Sequence, residues 1–139
     1  MIAGRGVEAV LSVLYVEDNA SSVRLVERLM ARRSQVRLRV ATSGAEGLRL
    51  SAESRPDLVL LDLHLPDLAG EVVLRGLQGL PQWGARPVVV LSADALPATE
   101  MRLRAAGAAD FLVKPLDIVK LYACVDAAQA ARRRLRTAC

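Results

Sequence analysis

Five short apolar runs, rich in Val and Leu and separated by segments of helical periodicity, constrain this chain more than any other feature. The runs are Ser12–Val16, Val36–Ala41, Leu58–Leu61, Val88–Leu91 and Phe111–Val113. Few polar residues interrupt them, which suits strands buried on both faces of a parallel sheet. Val23, Val26 and Met30 share a helical face in the first intervening segment. Ser43 and Glu46 open a second helix as a capping box, continued by Leu48 and Ala52. Val73, Leu77 and Leu80 mark a third helix, and Pro97 starts a fourth that runs through Met101 and Leu103. Asp117 reads as the N-cap of a last helix whose buried side carries Ile118, Leu121, Tyr122 and Val125. The order βαβαβαβαβα implies an α/β fold: an open parallel sheet with helices on both faces and right-handed crossovers.

A chain of 139 residues with 53% hydrophobic residues suits one domain with a full core. We read residues 1–10 as an N-terminal extension, 11–131 as the domain, and 132–139 as the basic end of the last helix or a tail. No apolar stretch approaches the ~20 residues of a membrane span. Met1 to Val10 lacks the apolar centre of a signal peptide. A soluble cytoplasmic protein without membrane contact is therefore expected. Cys124 and Cys139 form no metal-ligand pattern and read as free thiols in a reducing compartment.

The net charge is +4, and every basic residue except Lys114 and Lys120 is Arg. The tight run is Arg132, Arg133, Arg134 and Arg136. Cations at a helix C-terminus complement the macrodipole. No base-reading motif or aromatic platform accompanies them, so a nucleic-acid partner is not expected.

The chemistry collects where the strands end. The first run leads into Glu17-Asp18-Asn19, the third into Asp62, the fourth into Ser92, and the fifth into Lys114-Pro115. Parallel strands bring these positions to one edge, where ligands bind in open α/β sheets. Three carboxylates repel one another, and a divalent cation relieves that repulsion. All-oxygen ligands favour a hard ion, and a small site that retains waters favours Mg²⁺. A metal, the Lys114 ammonium and the Ser92 hydroxyl would then surround a phosphoryl group, with a carboxylate as its acceptor.

Four ordered motifs resemble those of response-regulator receiver domains, the CheY-like superfamily of bacterial two-component signalling. Val13–Asn19 is similar to the family's opening strand and acidic pair. Pro56–Gly70 resembles the segment around its phospho-accepting aspartate, Pro87–Ala93 the strand with its switch hydroxyl, and Gly107–Pro115 its last strand with Lys-Pro. The resemblance covers roughly residues 11–130. Tyr15–Asn19 and Ser92–Pro97 are worded much like receivers attached to hybrid sensor kinases.

The resemblance implies a five-stranded, flavodoxin-like (βα)5 sandwich in three layers, with strand order 2-1-3-4-5. It implies that Asp62 accepts a phosphoryl group from a phosphohistidine of a histidine kinase or phosphotransfer protein. Mg²⁺ (or Mn²⁺) would be held by Glu17, Asp18, Asp62 and the backbone carbonyl of His64. Lys114 would contact the phosphoryl group, with a cis bond to Pro115. Ser92 would move to meet it and vacate space for Phe111, the aromatic rotamer switch. A docking face on helix 4, strand 5 and helix 5 would change for a downstream protein, with a homodimer left open. His64 and Asp94, each two residues past a site residue, are candidates for tuning phosphoryl lifetime. Such a protein is a switch that promotes its own phosphorylation and dephosphorylation rather than an enzyme.

Three other readings compete. A degenerate receiver would bind partners without phosphorylation, but the full set Glu17, Asp18, Asp62, Ser92 and Lys114 speaks against it. A haloacid-dehalogenase-type phosphatase needs a second Asp where His64 stands, and a cap segment for which this length has no room. A nucleotide-binding flavodoxin-like protein would be expected to show G-x-x-x-x-G-K-[ST] or G-x-G-x-x-G, and neither is present.

Overall fold

The computed structural model describes residues 10–138. Residues 1–9 of the expected extension 1–10, the side chain of Arg136 and Cys139 lie outside the described residues. The elements alternate: β1 (Leu11–Val16), α1 (Ala20–Ala31), β2 (Val36–Ala41), α2 (Gly44–Ser54), β3 (Leu58–Asp62), α3 (Gly70–Gln78), β4 (Val88–Ser92), α4 (Pro97–Ala105), β5 (Asp110–Val113) and α5 (Ile118–Ala138). The strands are parallel, in the order β2-β1-β3-β4-β5.

Side chains alternate across a strand, and the core divides accordingly. Leu11, Val13 and Tyr15 of β1 join Leu58, Leu60, Val89 and Leu91 on one face. There they meet Val26, Leu29 and Met30 of α1 and Leu121, Val125 and Ala128 of α5. Leu14, Val16, Val59, Leu61, Val88 and Val90 fill the other face, against Leu50, Val73, Leu77 and Leu103 from α2, α3 and α4. Each fully buried Leu or Val contributes about 1.5–3 kcal/mol of transfer free energy. The two layers together hold the strand ends in register.

The central strands β1, β3 and β4 are buried on both faces, as their composition suggests. The edge strand β2 departs from that expectation: Arg37 and Arg39 are exposed, while Val36 and Leu38 pack inward. The second sheet face is covered only at Ala41, so the strand reads by alternation up to that point.

Local chemistry sets the helix starts. The Asn19 side chain accepts from the N–H of Ser22 at 2.9 Å. The Ser43 hydroxyl accepts from the N–H of Glu46, but the Glu46 carboxylate closes on the N–H of Thr42 rather than of Ser43. The glutamate thus reaches one residue further back than the capping box expects. Pro97 occupies the first turn of α4, where its missing N–H costs nothing. Asp117 caps α5 by accepting from Val119 at 2.9 Å. Ile118 is a correction: it is exposed, in a first turn that precedes the stripe of Leu121, Val125 and Ala128 meeting the sheet. Met101 is exposed as well, so Leu103 and Thr99 alone carry the buried side of α4.

Candidate functional site

Glu17, Asp62, Ser92 and Lys114 each sit at, or one step beyond, the carboxyl end of a strand. Glu17 follows β1, its N–H bound to the carbonyl of Ala41. Asp62 ends β3 beside Leu91 of β4. Ser92 ends β4, and Lys114 follows β5 with its N–H on the Ser92 carbonyl at 2.8 Å. Parallel register therefore brings residues far apart in the chain to one edge.

The side chains of Glu17, Asp18, Asp62 and Lys114 converge. Glu17 and Asp62 are buried, and Asp18 is exposed at the rim. One carboxylate oxygen from each of the three acids lies within 4.8 Å of the others. The Lys114 ammonium donates to Glu17 Oε1 at 2.8 Å and lies 3.0 Å from Asp62 Oδ1. Three hard carboxylate donors at this spacing fit a divalent cation.

The charges inside the pocket are strongly coupled. Burial pushes the Glu17 carboxyl up, but the hydrogen bond and charge of Lys114, with the Asn19 N–H and Tyr15 hydroxyl, bring it below its ordinary value. Asp62 is held above its ordinary value, first by burial and then by the Glu17 charge, against the opposing pull of Lys114. Lys114 loses to burial and gains more from its two carboxylates, so its pKa rises. Asp62 is thus a carboxylate whose charge the protein alone does not fully compensate.

Ser92 is fully buried, and its hydroxyl accepts from the Asp94 N–H at 2.9 Å. The Asp94 carboxylate is committed to α4: it accepts from the Leu96 N–H at 2.9 Å and from the Thr99 hydroxyl at 2.8 Å. Those bonds, the Leu96 N–H foremost, hold its pKa below the usual range, helped by the charges of His64 and Arg102. His64 itself is exposed and forms an antiparallel bridge with Ala69. Phe111 belongs to the core rather than to the acidic cluster. It is buried in the layer beneath α3 and α4, with Val90, Leu103 and Ala108. The Lys114–Pro115 peptide bond is cis.

Sequence reasoning missed two contributors. Tyr15 donates its hydroxyl to Glu17 Oε1 at 3.1 Å, and burial with the Glu17 charge raises its pKa far above the ordinary value. The spacing of two along a strand could have shown that these residues share a side. Asp67 accepts from the N–H groups of Gly44 and Ala45 at 2.8 and 2.9 Å. No local pattern announces a contact between residues 23 apart in the chain.

Comparison with known proteins matches the response regulator receiver domain model over residues 13–126. The transcriptional regulatory protein KdpE of Mycobacterium tuberculosis is 39% identical over 117 residues, covering 84% of this chain and 50% of that protein. The polar-differentiation response regulator DivK of Brucella anthropi is 33% identical over 107 residues, covering 77% of this chain and 86% of the relative. The chain thus spans about half the length of KdpE and most of DivK. Among solved structures, the receiver domain of a LuxO-type repressor from Vibrio parahaemolyticus superposes with a TM-score of 0.83 at 26% identity, covering 93% of this chain and 97% of that one. The receiver domain of sensor histidine kinase PA1611 from Pseudomonas aeruginosa, described with magnesium in its active-site cleft, gives 0.79 at 25% identity, covering 88% and 99%. With its strand order, its convergent acidic edge and a family match across most of its length, this chain belongs to the response regulator receiver domains and is a signalling switch of that family.

Proposed function

We propose that Asp62 accepts a phosphoryl group from the phosphohistidine of a histidine kinase or phosphotransfer protein. The observation that carries this reading is the Lys114 ammonium in contact with both buried carboxylates, Glu17 and Asp62, beside a third at the rim. Glu17, Asp18, Asp62 and the backbone carbonyl of His64 would hold Mg²⁺ (or Mn²⁺), and the magnesium described in the PA1611 receiver supports this. The cation supplies charge neutralisation for the phosphoryl oxygens. An Asp62 carboxylate oxygen attacks phosphorus, the phosphorus–nitrogen bond of the donor breaks, and its electron pair and a proton end on the leaving imidazole. Lys114 offsets charge on the phosphoryl oxygens throughout. Hydrolysis of the acyl phosphate by water returns Asp62 and inorganic phosphate, so the switch promotes its own dephosphorylation. His64 and Asp94 flank that route and tune its rate.

The added charge of about −1.5 to −2 draws in Ser92. Movement of Ser92 toward it strains the bond that its hydroxyl accepts from the Asp94 N–H, which disturbs the start of α4. Phe111 turns into the space vacated. The output surface is the α4–β5–α5 face, where Met101, Val113 and Val119 are exposed. It serves a downstream protein or a second copy of the chain. Moving such an equilibrium nearly completely needs ~5.5 kcal/mol of differential interaction, within reach of a few charge-assisted hydrogen bonds. We place the receiver at residues 11–131 and treat 132–139 as its basic helical end, in a cytoplasmic protein. No described helix is long and apolar enough to cross a membrane.

Incubation with acetyl phosphate and Mg²⁺, followed by intact mass, tests the assignment. One base-labile phosphoryl adduct is expected, absent from Asp62→Ala and absent without metal. An adduct that survives Asp62→Ala would reassign the acceptor.

A further inference from the structure

The loop from Leu63 to Ala69 joins Asp62 to α3 and carries His64, whose carbonyl is the remaining proposed metal ligand. Its base is pinned by backbone. The Leu63 N–H bonds the carbonyl of Leu91, and the Gly70 N–H bonds the carbonyl of Leu63. A Cβ on Gly70 would lie 2.7 Å from Leu63 Cα, so the loop closes where only glycine fits.

The tip is held differently. The two carboxylate oxygens of Asp67 take separate N–H groups, of Gly44 and Ala45, in the first turn of α2. Beside them Gly44 has no room for a side chain: a Cβ there would stand 2.8 Å from Val73 Cγ2 and 3.0 Å from Leu68 Cβ. The loop and the start of α3 are therefore pressed against the start of α2, and Asp67 locks that approach. Ser43 already caps α2 through the N–H of Glu46, and Glu46 serves Thr42. Ser43 leaves the N–H groups of Gly44 and Ala45 to Asp67, which both completes the cap of α2 and ties it to the loop.

We infer that Asp67 is a positioning residue for the metal pocket: it clamps the His64 loop to the first turn of α2 and so presets the carbonyl that completes the ligand set. The inference rests on the metal reading above. It gives α2, which contributes no residue to the pocket, a part in metal affinity.

The test is calorimetric titration of the full chain with MgCl₂, wild type against Asp67→Ala and Asp67→Asn. Loss of a group bonded directly to a metal ligand weakens binding by about tenfold or more; Asp67 acts one step further out, through the loop, and a smaller, several-fold loss is expected for Asp67→Ala. Asp67→Asn keeps one acceptor oxygen and should fall between, and it carries the test if the alanine variant folds poorly in EDTA. Asp57→Ala is the control for general destabilisation. It removes a carboxylate that accepts from the Ser12 N–H at 2.8 Å, at the opposite end of the sheet, and should leave Mg²⁺ affinity unchanged. Wild-type affinity in both Asp67 variants would overturn the clamp. Absence of Mg²⁺ binding by the wild-type chain would instead bring down the metal reading, and the inference with it.

Discussion

The Lys114 ammonium lies 3.0 Å from the Asp62 carboxylate, and it reaches there because β5 ends one residue short of Lys114 beside the end of β4. Without a cation, this ammonium is the positive charge that keeps Glu17 and Asp62 together in a buried pocket. Lys114→Met should therefore destabilise the chain in EDTA by about 3 kcal/mol, the scale for stripping one partner from a buried ion pair. Added Mg²⁺ should recover more stability in the variant than in wild type, because it binds a cluster with no competing ammonium. Thermal melts with and without Mg²⁺ check this; equal gains in the two proteins would refute it.

Ser92 and Asp94 are coupled through one hydrogen bond, from the Asp94 N–H to the Ser92 hydroxyl. Ser92→Ala leaves that N–H without its partner and should cost about 1 kcal/mol in urea unfolding. It should also separate modification from response. Acetyl phosphate still labels Asp62, while amide shifts in α4 and β5 no longer change on labelling. Wild-type shift changes in the variant would rule out the Ser92 route.

Asp67 supplies a pH signature. The N–H groups of Ala45 and Gly44 hold its carboxyl below the ordinary aspartate value. A depressed folded pKa means stability that is fully present above the unfolded value and lost as pH falls through the folded one. The stability difference between wild type and Asp67→Asn should be constant from neutral pH down to about pH 4. Below that it should shrink as the wild-type carboxylate protonates. Urea titrations in EDTA across that range measure it, and a gap that persists at the lowest pH would contradict the bonds to α2.

Arg132 ties the far end of α5 to the base of the sheet. Its guanidinium donates to the carbonyl of Val10 and lies 3.3 Å from the Asp57 carboxylate. Asp57 in turn accepts from the Ser12 N–H. Arg132→Ala should cost about 1–2 kcal/mol, since this charge-assisted contact is mostly sheltered. Hydrogen exchange should accelerate at the start of β1 and leave the Asp62 edge unchanged. Uniform acceleration would mean that the contact is not local.

The strand and helix order was legible in the sequence because central parallel strands are buried on both faces and read as unbroken apolar runs, as at Leu58–Leu61 and Val88–Leu91. Edge positions were less legible. Val36–Ala41 was expected to be covered on both sides, and Ile118 was expected to be buried, because burial at an edge or a helix start depends on which neighbour arrives there. Site residues immediately after strands were legible by position, since parallel direction alone sends Glu17, Asp18, Asp62, Ser92 and Lys114 to one edge.

By itself the sequence determined the α/β alternation, the helix caps at Ser43 and Asp117, and the set of acids and the lysine at the strand ends. These follow from periodicities and capping chemistry that act within a few residues. The tertiary structure alone decided that Asp67 grips the start of α2 and that Arg132 closes on Val10 and Asp57. Such contacts depend on side-chain directions and on how closely two distant backbones approach, as Gly44 and Gly70 permit, and no local pattern encodes those separations.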